Sequence, residues 1–235
     1  MTFKIITADE RLQQKTGVKL LIVGAPGIGK TSLLKTLEQN TLCLDLEAGL
    51  LAVQDWKGCS ISIRTWPLAR DIACLIGGPN PALRPDQPYS LRHYEALKGL
   101  KSGHDVDLSS FQVIFIDSLT IASRLCLGWC RQQPEAFSER TGKADPRAAY
   151  GLLAQEMTSW LNQFQYIPDK DVIFTGLLDQ KTDEFQKTIW QLQCEGNKTV
   201  LEIPGILDEV LSMVPDTQPL SGKGQRMFVC QTINT

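Results

Sequence analysis

The stretch LLIVGAPGIGKTSLLKTL, residues 20–37, passes from an apolar strand pattern through a glycine-rich turn into a leucine-spaced helical pattern. Gly24, Gly29, Lys30 and Thr31 satisfy G-x-x-x-x-G-K-[ST] at every constrained position, a coincidence expected in roughly one random chain of this length in a hundred. A strand before the loop and a helix after it make accident rarer still. Gly24, Ala25, Pro26, Gly27, Ile28 and Gly29 can curl tightly enough for backbone N–H groups to face phosphate oxygens. Pro26, which lacks an N–H, stiffens a position outside any strand ladder. The helix expected to begin near Lys30, with Ser32 in its first turn, adds its positive end. Lys30 is then placed to reach the β and γ phosphates of ATP, and the Thr31 hydroxyl to bind Mg²⁺. The plain alternative is a glycine-rich turn followed by a surface lysine.

At 235 residues the chain is long enough for one substantial core, and we read residues 1–235 as a single domain. A net charge of −2 provides no global basic field, so any nucleic-acid partner must be held by a local patch. The 7 cysteines are scattered through apolar segments without C-x-x-C spacing, which favours free thiols in a reducing compartment over disulfides or zinc. There is neither a secretory leader nor an apolar run of membrane length, so no membrane partner is expected.

Short β-rich runs near 18–23, 41–46, 59–65, 111–117 and 171–177 alternate with helical patterns, the signature of an α/β domain with a mainly parallel twisted sheet flanked by helices. In residues 145–164 Asp145 is placed as N-cap and Pro146 at the first helical position, and Leu153, Met157, Trp160, Leu161 and Phe164 then share one face. Residues 77–90 and 132–146 read as irregular surface loops. Within the N-terminal segment 1–17, FKIIT reads as an edge strand. KTIWQLQ and TVLEI bracket CEGNK, a turn signal, which predicts a β-hairpin in the C-terminal region.

A phosphate loop needs a carboxylate for the metal, and FQVIFIDSLT supplies Asp117 at the end of an apolar strand, where side chains of neighbouring strands converge. The same aspartate in isolation is also a good helix cap. The second strand ends in TLCLDLEAGL, which offers Asp45 and Glu47. At this point the sequence resembles the RecA-like ATPases, whose acidic segment D-x-E carries the catalytic glutamate. That resemblance assigns Glu47 as catalytic base beside Lys30.

GAPGIGKTSLL, LDLEAGL, VIFIDSLT, AYGLL, VIFTGLL and EIPGILDEVL, taken in order, resemble the phage-encoded RecA-like single-strand-annealing recombinases, P-loop ATPases of Sak type. The resemblance spans Val18 to about Thr232. It implies a RecA-like core, Mg-ATP as cofactor, DNA-stimulated ATP hydrolysis that can be slow, and annealing or exchange of single-stranded DNA. It further implies a phage single-strand-binding protein as partner, homo-oligomers on DNA with a basic residue supplied by the adjacent subunit, and residence in the bacterial host cytoplasm. Two segments then correspond to DNA-facing loops: residues 131–146, with Arg140 and Lys143, and residues 179–202, with Lys181, Phe185, Lys187, Trp190 and Lys198. Lysines with aromatics suit phosphate neutralisation and base stacking. Two other functions fit a phosphate loop: an ATP-dependent switch or loader acting on a protein partner, and a small-molecule kinase with RTGKADPR as its lid.

Overall fold

The computed structural model describes residues 5–99, 107–182, 186, 188–216 and 224–230. The five expected strands form: β1 (Lys19–Gly24), β2 (Thr41–Asp45), β3 (Cys59–Ser62), β4 (Val113–Asp117) and β5 (Asp171–Thr182). They are joined by β6 (Thr188–Leu192), β7 (Glu209–Pro215) and β8 (Arg226–Val229). The sheet runs β3-β2-β4-β5-β1-β7-β8, with β6 beside β5. Every pair from β3 to β7 along that path is parallel, and the β5–β6 and β7–β8 pairs are antiparallel. Parallel neighbours demand crossover segments, which the intervening helical stretches supply.

The α-helices among the described residues are α1 (Ala8–Gln13), α2 (Trp66–Gly77), α3 (Leu91–Lys98), α4 (Leu119–Cys130), α5 (Pro146–Gln165) and α6 (Asn197–Ile206). The strands' twofold alternation divides the core between two faces of the sheet. Leu42, Leu44, Ile114, Ile116, Val172 and Phe174 belong to the larger cluster, with α2, α4 and α5. Cys43 and Phe115 point the other way, onto Leu34 and Val53 of two short 3-10 segments. The α5 face is the one expected, capped by Asp145 through Arg147 N–H at 2.9 Å and Ala148 N–H at 3.3 Å. Trp160 is its centre, with ring centroids of Trp66 at 5.6 Å, Phe164 at 5.1 Å and Phe174 at 6.0 Å, and its indole N–H donating to the Ala69 carbonyl at 3.0 Å.

Two expectations are corrected. TVLEI is not a strand: these residues lie in α6, entered from Gly196 at φ +81°. β6 finds its partner instead in β5, which continues past the expected end at 177 to Thr182 and pairs Leu178 with Leu192. Packing on α5 decides the helical state of α6, whose Thr199 and Ile203 are buried and whose Glu202 accepts from the Thr158 hydroxyl at 3.0 Å. At the other end of the chain, Ile5–Thr7 form no edge strand. Thr7 and Glu10 make a capping box that starts α1, while Phe3 and Lys4 lie outside the described residues.

Candidate functional site

Carboxyl-terminal ends of β1, β2 and β4 bring the expected residues to one edge of the sheet. After Gly24 the chain turns through residues 25–30, with Gly27 at φ +73° and Gly29 at φ +101°, backbone that glycine adopts freely. Gly24 has a different requirement, since a Cβ there would stand 2.8 Å from the Met213 carbonyl oxygen on β7. The helix expected after the loop is a 3-10 segment of only 6 residues, Thr31–Thr36, with Ser32 N–H donating to Gly29 and Leu33 N–H to Lys30. So short a helix contributes little dipole, which leaves the loop's N–H groups and Lys30 as the groups able to hold an anion here.

Lys30 is 7% exposed, and its ammonium donates to the Gly24 carbonyl at 2.9 Å and the Ala25 carbonyl at 3.0 Å. Burial lowers its pKa, while the charges of Glu47 and Asp117 act in the opposite direction. Thr31 Oγ1 donates to Asp117 Oδ2 at 2.6 Å, and the Thr175 hydroxyl donates to Oδ1. Because the Thr31 hydrogen is directed at the carboxylate, its lone pairs stay available to a cation. Asp117 is 1% exposed; burial raises its pKa, the hydrogen bonds from Thr175 and Thr31 lower it, and the charges of Glu47 and Asp45 raise it further. A cation would relieve this buried negative charge, and the Thr31–Asp117 pair offers the hard oxygen donors that suit Mg²⁺. Among the described residues there is no cluster of three or more His, Cys, Asp or Glu able to cage a metal, so the other ligands would be phosphate oxygens and water.

Asp45 and Asp117 are direct partners across β2 and β4. Just beyond, Leu46 and Glu47 donate their N–H groups to the Asp117 carbonyl at 2.8 and 3.2 Å, which fixes the acidic segment against the end of β4. The exposed Glu47 accepts a hydrogen bond from the Ser118 hydroxyl. Asp45 is buried instead and accepts from the Gly49 N–H at 3.3 Å, so it supports the turn that presents Glu47. Sequence reasoning missed Thr175 and Ser118. Thr175 left a signal, a single hydroxyl in the otherwise apolar VIFTGLL; Ser118 left none beyond adjacency to Asp117.

The candidate DNA contacts divide into separate surfaces. Lys181 and Lys198 line one depression together with Tyr150 and residues 194–199. Trp190 is 42% exposed and lines an apolar groove with Leu178, Leu192, Leu201 and Pro204. Strand pairing explains the separation: Lys181 is opposite Ile189 and Gln180 opposite Trp190, so Lys181 and Trp190 leave the hairpin on opposite faces. Arg140 and Lys143 are exposed on a loop closed by the Phe137–Ala144 bridge and by Ser138 N–H donating to the Lys143 carbonyl at 2.8 Å. Phe185 and Lys187 lie outside the described residues. No helix among those residues is long and apolar enough to cross a membrane.

Residues 16–234 match the AAA_24 family, described as an AAA domain. No curated protein matches the chain. Among solved structures it is similar to a prototypical ATPase from the type III secretion system of pathogenic bacteria, at 16% identity over 85% of this chain and 51% of that one, with a TM-score of 0.42. It is also similar to the flagellar accessory protein FlaH from Methanocaldococcus jannaschii, at 11% identity over 95% of this chain and 83% of that one, TM-score 0.37. A KaiC-like protein from Pyrococcus horikoshii OT3 matches at 13% identity over 93% of this chain and 81% of that one, TM-score 0.35. The chain thus spans about half the length of the secretion ATPase, 51%.

Proposed function

The chain belongs to the AAA domain family, and from that premise we propose that it binds and hydrolyses Mg-ATP and uses the nucleotide to handle single-stranded DNA, promoting annealing or exchange. The observation that carries the nucleotide half is the Thr31–Asp117 contact of 2.6 Å, which joins the phosphate loop to the end of β4 beside Lys30. Loop N–H groups and Lys30 would hold the phosphates, with Thr31 and Asp117 holding Mg²⁺ partly through water. Bound Mg²⁺ would neutralise phosphate charge. Glu47, oriented by Ser118, would accept the proton of the attacking water. This division of labour explains why one acid, Asp117, is buried while the other, Glu47, faces solvent.

The DNA half rests on the order of motifs and on the depression that unites Tyr150, Lys181 and Lys198, a stacking surface beside two cations. Calorimetry with Mg-ATP tests the first half: the parent should bind and Lys30→Ala should not. Equal affinities would refute the phosphate-loop assignment. Single-strand binding measured with and without ATP tests the second half. Nucleotide binding without any DNA binding would favour an ATP-dependent switch that grips a protein partner. A single-strand-binding protein would act beside the chain by keeping its substrate unpaired, and subunits would associate along the strand.

A further inference from the structure

β8 begins at Arg226, which pairs with Pro215 of β7, and β7 in turn pairs with β1 so that Met213 stands opposite Gly24, where the phosphate loop departs. This register carries the start of β8 over the loop. A Cβ built on Gly29 would lie 2.5 Å from Arg226 Nη1, 2.8 Å from Cζ and 3.2 Å from Nη2, so the guanidinium end of Arg226 occupies the space beside Gly29. Gly29 is demanded by its φ of +101°, and the absence of a side chain there leaves room for the guanidinium. Arg226 is exposed and, among the described residues, makes no salt bridge.

We propose that Arg226 is a phosphate ligand of its own subunit's nucleotide site, reaching the terminal phosphate from β8. The Gly29–Thr31 end of the loop is the end that meets Asp117, hence the end where Mg²⁺ and the outer phosphates belong. Lys30 is held inside the loop by two carbonyls, whereas Arg226 covers the loop from outside, so the two cations approach the phosphates from different sides. A guanidinium presents its donors as a planar fork suited to phosphate oxygens, which a lysine cannot reproduce. The basic residue that such sites often take from a neighbour is here supplied in cis.

This inference rests on the Mg-ATP reading above, and the test separates the two. In calorimetry of the full chain with a non-hydrolysable ATP analogue and with ADP, Arg226→Ala should weaken the analogue about 10- to 100-fold, as loss of a charge-assisted hydrogen bond does, and leave ADP affinity unchanged. Arg226→Lys should fall between Ala and the parent, and melting temperatures should match the parent because the side chain is exposed. Mixing Arg226→Ala with Lys30→Ala should restore neither analogue binding nor turnover. Unchanged analogue affinity in Arg226→Ala, equal losses for analogue and ADP, or restoration on mixing would each overturn the cis assignment while leaving the phosphate loop in place. A parent that binds nucleotide no better than Lys30→Ala would overturn both readings.

Discussion

Replacing Asp117 by Asn should move two measurements in opposite directions. The carboxylate is 1% exposed and is raised in pKa chiefly by burial, so its ionised form costs stability in the nucleotide-free fold. The sign follows from linkage: a folded pKa above the unfolded value means the fold binds the proton more tightly. The penalty is absent below the unfolded pKa, grows through the window up to the folded value and is complete above it. Asn removes the penalty and keeps an acceptor for Thr31 or Thr175, so the nucleotide-free variant should melt no lower than the parent at neutral pH, and the parent's loss of stability on leaving acid pH should be smaller in the variant. Mg-ATP binding should respond the other way. Unit charges about 4 Å apart at an effective dielectric of about 20 interact by ~4 kcal/mol, and part of that is returned by no longer burying a carboxylate, leaving a net loss on the order of 2–3 kcal/mol, roughly 30- to 150-fold in affinity. Calorimetry with Mg²⁺ and with a chelator reads this directly. The fall should be confined to the titration with Mg²⁺; an equal fall in both would assign Asp117 to the fold or the loop and refute its role at the metal.

Glu47→Gln should retain Mg-ATP affinity and lose about 10²- to 10⁴-fold in turnover, because the amide keeps the Ser118 contact and cannot take the water's proton; unchanged steady-state turnover would exclude it as base. On single-stranded DNA, Lys181→Ala and Lys198→Ala should each make the log affinity against log salt slope shallower by about 0.7, and Tyr150→Ala should cost about 1–3 kcal/mol without changing the slope. Trp190→Ala, on the other face of the hairpin, should leave DNA affinity unchanged; a loss comparable with Tyr150→Ala in equilibrium titration would move the DNA path to the apolar groove. Trp160→Ala should destabilise the fold by about 3–5 kcal/mol in urea unfolding, since it removes the ring at the centre of the α5 face, and a value below about 1 kcal/mol would contradict that packing.

The nucleotide half of this site was legible because its determinants are local. Fixed spacing across a strand and turn pointed to Gly24, Gly29, Lys30 and Thr31, and a strand end pointed to Asp117, without any knowledge of which strands are neighbours; the second strand end offered both Asp45 and Glu47, and the resemblance to RecA-like ATPases chose Glu47. What escaped depends on contacts between distant segments. TVLEI carries β-branched residues at strand-like density, yet the prolongation of β5 had already satisfied β6, and burial of Thr199 and Ile203 on α5 outweighed propensity. Thr175 became part of the site only because β5 inserts between β1 and β4. Arg226 had no local signature at all; its place over Gly29 is set by the β8–β7–β1 register.

That insertion of β5 has a consequence for how the two halves of the molecule can communicate. The strand donates its Thr175 hydroxyl to Asp117 and its Leu177 N–H to Thr120 Oγ1 at 3.0 Å, accepts at its Leu177 carbonyl from the Gln193 N–H at 2.7 Å, then continues as one arm of the hairpin that carries Lys181. The same α4 that starts after Asp117 also accepts, through Ser123 Oγ, the Glu195 N–H at 3.0 Å, next to the depression containing Lys198. A change in charge at Asp117 therefore acts on the buried Thr175, only two positions from the half-buried Leu177, whose hydrogen bonds anchor the base of the hairpin. Coupling by this route needs no movement of the sheet core. It requires only that the hydrogen bonds of Thr175 and Leu177 have a second arrangement when the carboxylate's charge is shared with a cation. Given the proposed ATP-dependent DNA binding, Thr175→Val, which keeps shape and deletes the donor, should leave ATP binding largely intact while removing any effect of ATP on DNA affinity, and undiminished ATP dependence in that variant would place the coupling elsewhere.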